Sequence, residues 1–107
     1  MKINEYQLLA LRTCNSESSE DLILNGTLGL CGEAGEVSDH VKKHLFQGHE
    51  LNEDEIINEL GDVCWYIAVL ASGLNVSLEE IMQRNIRKLQ ARYPDGFEVE
   101  KSINRTE

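Results

Sequence analysis

Two pairs of acids carry the strongest chemical signal in this 107-residue sequence: Glu33 with Glu36, and Glu59 with Asp62. Each pair is spaced i, i+3, which puts both carboxylates on one face of a helix. At about 100° per residue, Glu55, Glu59, Asp62 and Tyr66 fall on one narrow stripe, beside an apolar face carrying Ile56, Leu60, Val63, Ile67, Leu70 and Leu74. Glu33 and Glu36 flank a second apolar stripe of Leu30, Ala34 and Val37, and their edge continues to His40. If the two apolar faces pack together, the two acidic edges can meet.

Like charges at helical spacing disfavour a helix by a few tenths of a kcal/mol, and these stripes hold no basic partner. A bound cation removes that cost. Carboxylate oxygens suit Mg²⁺, which fills its remaining positions with water and substrate phosphate, so an open carboxylate edge points to phosphate chemistry. Solvated acidic faces would explain either pair alone, because 27% of the residues are charged and acids fall at this spacing by chance. The joint pattern is harder to explain that way. Zinc fits less well: His40 and His44 sit at i, i+4 but lack an apparent third ligand. A di-iron centre wants Glu-x-x-His on two helices, and the sequence has none.

Cations for a phosphate are offered by Lys42, Lys43, Lys88 and Arg92, although lysines and arginines near helix C-termini are also favoured there by the macrodipole. Asn85 shares a stripe with Leu78, Ile81, Met82 and Leu89, so its amide should be buried and need partners. Trp65 and Tyr66 either fill the core and a subunit interface or stack on a nucleobase, and Tyr66, on the acidic stripe, is the better stacking candidate.

The elements that must position these groups read as helices almost throughout, and the fold class is all-α. The first helix is expected over Glu5 to Cys14 behind an Asn4 cap, and the second from about Glu20 to Phe46. Gly26, Gly29, Gly32 and Gly35 lie inside the second helix, each at a cost of up to about 1 kcal/mol relative to alanine, which favours very close packing there. Asn52 opens a third helix that Gly73 and Asn75 end; Ser77 with Glu80 forms a capping box opening a fourth, which stops at Tyr93 before Pro94. Asn15 to Ser19 and Phe46 to Asn52 are loop candidates, and the tail 98–107 is read as irregular. Helices joined by short loops predict an antiparallel four-helix bundle.

The chain has room for one domain, over residues 1–107, with little stability to spare, so oligomerisation is expected. The formal charge of −9 argues against binding nucleic acid. No apolar run approaches bilayer length and the start lacks a signal peptide's apolar core, so neither a membrane partner nor export is expected and the setting is cytoplasmic. Cys14, Cys31 and Cys64 form no Cys-x-x-Cys and are read as reduced core thiols.

Three segments together resemble a known family: GLCGEAGEVSDHVKK (Gly29 to Lys43), NELGDVCWYIAVLA (Asn58 to Ala71) and NIRKLQARYPDGF (Asn85 to Phe97). They look like the MazG-like branch of the all-α nucleoside triphosphate pyrophosphohydrolases, from about Tyr6 to Phe97. The resemblance implies that Glu33, Glu36, Glu59 and Asp62 hold Mg²⁺, with Mn²⁺ as a substitute. It implies that Lys88 and Asn85 approach the triphosphate, with Arg92 near them. It further implies cleavage between the α- and β-phosphates of a nucleoside triphosphate, and a homodimer or homotetramer. On the chemistry, Glu36 is assigned to assist deprotonation of water and Lys88 to stabilise the leaving group. Two rivals remain: a non-catalytic acidic helical interaction module, and a metal-dependent phosphohydrolase acting on another phosphate substrate.

Overall fold

A computed structural model describes residues 1–15 and 18–105, and among these the chain is helical with no strand. Five helices form: α1 (Ile3–Leu11), α2 (Ser19–Phe46), α3 (Glu53–Gly73), α4 (Leu78–Arg92) and α5 (Val99–Ile103). Within the expected loop Asn15 to Ser19, Ser16 and Glu17 lie outside the described residues, as do Thr106 and Glu107 of the tail.

Side-chain caps fix three of the starts. Ser18, Asn52 and Ser77 accept from the backbone N–H groups of Asp21, Glu55 and Glu80, each satisfying a donor that the first helical turn leaves open. The box at Ser77 is half of what the sequence suggested, because the Glu80 carboxylate takes Arg84 and Arg87 instead. Asn4 does not cap α1. It sits inside that helix and bonds across to α4, where its Oδ1 accepts from Glu79 N at 3.2 Å. The tail also departs from expectation, since residues 99–103 are helical.

The main packing is α2 on α3, antiparallel, and its register can be followed from end to end. His40 meets Glu55, Glu33 meets Glu59 and Asp62, Gly29 meets Tyr66, Gly26 meets Leu70, and Gly73 meets Leu22 and Ile23. A Cβ added at Gly26 would stand 2.7 Å from Leu70 Cβ and 2.9 Å from its backbone, and one at Gly29 would enter the Tyr66 ring. Gly26 therefore lets the backbones close together, as expected of all four, and Gly29 makes room for the Tyr66 ring. Gly32 and Gly35 have open space instead, within one chain.

A buried glutamine sets the corner between α1, α3 and α4. Gln7 Nε2 donates to Ser72 Oγ and Val76 O, and its Oε1 accepts from Leu78 N at 2.7 Å. The α3 end carries a left-handed residue, Asn75, with Val76 N bonding back to Ala71 O and Asn75 N to Ser72 O, the pattern that satisfies a helix's last carbonyls. The chain leaves this corner at 99° to α3. α4 consequently packs onto α1 and α3 and not onto α2.

The result is an open shape. The radius of gyration is 16.9 Å, against about 13 Å for a compact domain of this length. Val69 is the one large side chain fully buried among the described residues, while Met82, Ile86 and Leu89 of α4 are exposed. Cys31 and Cys64 are exposed as well, which corrects their reading as core thiols. Among the described residues, no single helix is long and apolar enough to cross a membrane.

Candidate functional site

The α2–α3 register brings three of the four expected carboxylates to one point. Glu33, Glu59 and Asp62 each offer an oxygen lying within 4.8 Å of the others, at the half-buried edge of the two helices. Glu36 stands one turn along α2, outside this group but close enough to act on it. The Glu33 carboxyl is pushed up to about 7 from its ordinary 4.5, first by a hydrogen bond with Glu59, then by burial, and then by repulsion from Glu59, Asp62 and Glu36. Without a cation, the Glu33 carboxyl therefore keeps its proton well above the usual carboxylate range. Three hard oxygen donors with uncompensated charge and no thiol or imidazole among them are a donor set for Mg²⁺ or a similar cation.

That raised pKa has a thermodynamic sign. Between about 4.5 and 7 the folded chain binds more protons at Glu33 than the unfolded chain does, so this group's contribution to stability is present below 4.5 and is lost as the pH rises through 7. The melting temperature of metal-free protein should therefore fall from pH 5 to pH 8, and millimolar Mg²⁺ should restore more of it at pH 8 than at pH 5. Thermal melts in EDTA and in Mg²⁺ at both values check this; an equal Mg²⁺ effect at the two would refute it.

Farther along the seam, His40 Nδ1 lies 3.5 Å from Glu55 Oε2, extending the polar edge. Lys42 and Lys43 both turn onto Asp39 of their own helix, at 3.4 and 2.8 Å. Lys43 and then Lys42 hold the Asp39 carboxyl below its usual value, and Asp39 in turn raises Lys43. Tyr66 lies on Gly29 with Trp65 edge-on against it. Trp65 is a structural residue, its Nε1 donating to Ala10 O and Thr13 Oγ1 so as to seat α1 on α3.

Asn85 is exposed, which corrects its expected burial: the α4 face it shares is covered at Leu78 but open at Met82 and Leu89 within one chain. Lys88 and Arg92 line a cleft between α4 and α5. At 1.5 Å per residue, Asp62 stands roughly 16 Å from the end of α3 and Lys88 roughly 15 Å along α4. With the helices at 99°, the backbone positions of Asp62 and Lys88 are on the order of 20 Å apart in one chain. Sequence reasoning passed over Tyr6, whose phenol is raised by burial and then by nearby Cys64 and Asp62, placing α1 beside the acidic edge.

The MazG nucleotide pyrophosphohydrolase domain matches residues 24–97, which contain all four acids and α4. The chain belongs to the MazG family. A second comparison covers more of the chain, which is 47% identical over 106 residues to the Gene 37 protein of Mycobacterium phage L5, covering 90% of this chain and 92% of that relative. No solved structure matches it. The MazG family hydrolyses phosphoanhydrides and is typically metal-dependent, and in this member the α2–α3 edge supplies an acidic cluster of the kind such a metal needs.

Proposed function

We propose that this MazG-family chain is a Mg²⁺-dependent nucleoside triphosphate pyrophosphohydrolase, active as a homodimer or homotetramer. The observation that carries the reading is the convergence of Glu33, Glu59 and Asp62 on one point. In this reading those three, with Glu36 beside them, hold the cation. Bound there, the cation would acidify a coordinated water and neutralise charge on the triphosphate.

The chain's own residues then have distinct tasks. Glu36 takes the proton as the water oxygen bonds to the α-phosphorus and the bond from that phosphorus to the α–β bridging oxygen breaks, giving a nucleoside monophosphate and pyrophosphate. Lys88 stabilises the leaving pyrophosphate, with Asn85 and Arg92 alongside. Lys42 and Lys43, already paired with Asp39, would serve at the rim. An apolar cavity of about 260 Å³, lined in part by Tyr6, Cys64, Ile67 and Met82, has the character that suits a planar base. Tyr66 would border the substrate from its seat on Gly29.

The same geometry supports the proposed assembly. With its backbone on the order of 20 Å from that of the acids, α4 is better placed to offer its cations to a second copy's site, and its exposed Met82, Ile86 and Leu89 need a cover. A second copy laid along α4 would cover that face and complete a four-helix bundle between chains.

The test is a panel of ordinary and modified nucleoside triphosphates with and without Mg²⁺, scored for pyrophosphate against orthophosphate. Pyrophosphate released only with Mg²⁺ is the expected result. Orthophosphate alone would favour a phosphohydrolase of another class, and no release from any substrate would favour a non-catalytic acidic module.

A further inference from the structure

α5 lies beyond the residues that match the MazG domain, and it builds a cleft against the second half of α4. Five of the chain's ten lysines and arginines line that cleft: Arg87, Lys88 and Arg92 from α4, with Lys101 and Arg105 from α5 and its end. Glu98 and Glu100 are the acids there. In a chain of net charge −9 this is a concentration of opposite sign, and it opposes the acidic character of the remaining surface.

Pairing inside the cleft leaves charge over. Lys101 Nζ meets Glu98 at 3.3 Å, and Arg87 meets Glu80 at 3.1 Å on a carboxylate that Arg84 also shares. Among the described residues, Lys88 and Arg105 form no ion pair. The Tyr93 and Phe97 rings pack 5.2 Å apart across the turn at Pro94, bracing the connection between α4 and α5. Cations on two braced elements facing one cleft make a site for an anion with several charged groups, because each oxygen can take a charge-assisted hydrogen bond from a different side chain.

We infer that the α4–α5 cleft is a binding site for an oligophosphate anion, to which Lys101 and Arg105 of the α5 segment contribute alongside Arg87, Lys88 and Arg92. This goes beyond the proposed hydrolase by assigning residues outside the matched domain, and it rests on that reading only for the roles of Lys88 and Arg92. Binding here is carried by cations and needs no metal, so it can be measured where the acidic edge is silent.

The test is calorimetric titration of inorganic tripolyphosphate into the full chain in EDTA, at two salt concentrations, with Lys101→Glu and the double variant Lys101→Glu with Arg105→Glu. The expected result is saturable binding that weakens with salt, about tenfold weaker in the double variant, with unchanged circular dichroism. A nucleoside triphosphate that displaces tripolyphosphate assigns the cleft to a nucleotide's tail, and one that does not assigns it to free oligophosphate; both support the inference. No binding in EDTA, equal binding by the double variant, or binding of a single-stranded oligonucleotide in place of tripolyphosphate would overturn it. Glu59→Gln, inactive under the proposed function, should bind tripolyphosphate in EDTA as the parent does, so failure of the hydrolase reading and failure of this one give different results.

Discussion

Glu59→Gln should lower Mg²⁺-dependent pyrophosphate release by about 10³-fold, the scale on which removing one preorganised electrostatic contact acts on turnover. The same substitution should make the metal-free protein more stable at pH 8, because it deletes one of the carboxylates that repel Glu33 and puts an amide N–H donor beside it. Activity and stability thus move in opposite directions, as expected where a site is assembled against its own repulsion. Paired measurements of pyrophosphate release and thermal midpoint in EDTA check both halves. Retained turnover in Glu59→Gln would falsify the assignment of the acidic edge as the metal site.

Gly26→Ala should cost about 1–3 kcal/mol, because the added methyl meets the Leu70 Cβ and backbone, which cannot swing aside. Gly35→Ala, on the same helix, meets nothing within 4 Å and should gain up to about 1 kcal/mol from helix propensity. One substitution type therefore has opposite signs nine residues apart. Urea midpoints of the two variants decide it, and equal losses at both sites would show that close approach at Gly26 is not what its glycine provides. Since Gly26 sets how near α2 comes to α3, Gly26→Ala should also weaken Mg²⁺ binding.

The carboxylate edge was legible because its signal is local twice over. Each pair lies on a single helix, and each flanks an apolar stripe that must be buried, so joining the stripes brings the acids together. The helix starts at Asn52 and Ser77 were similarly readable from residues that act within one turn, whereas the Ser18 cap lies in a stretch read as a loop. What escaped depends on a partner elsewhere in the chain. Asn4 has the composition of a cap, yet its amide is used by Glu79, 75 residues away. Gln7 carries no pattern of its own, although it ties three elements together.

The glycines divide for the same reason. A glycine's position on its own helix does not tell whether Leu70, Tyr66 or open space will face it. Asn85 and the rest of the α4 stripe show a further limit: amphipathic spacing marks a face that needs covering without saying whether the cover comes from the same chain. The 99° corner after Asn75 left that face open, and the terminating residues at Gly73 and Asn75 gave the stop without the angle.

Trp65 is the chain's only tryptophan, and its indole N–H is tied to the far end of α1 while its helix carries Asp62 three residues earlier. Its emission is accordingly an undiluted optical gauge of whether α1 remains seated. Loading the neighbouring carboxylates with cation and unseating α1 become separable events, readable in solution from a fluorophore the protein already owns.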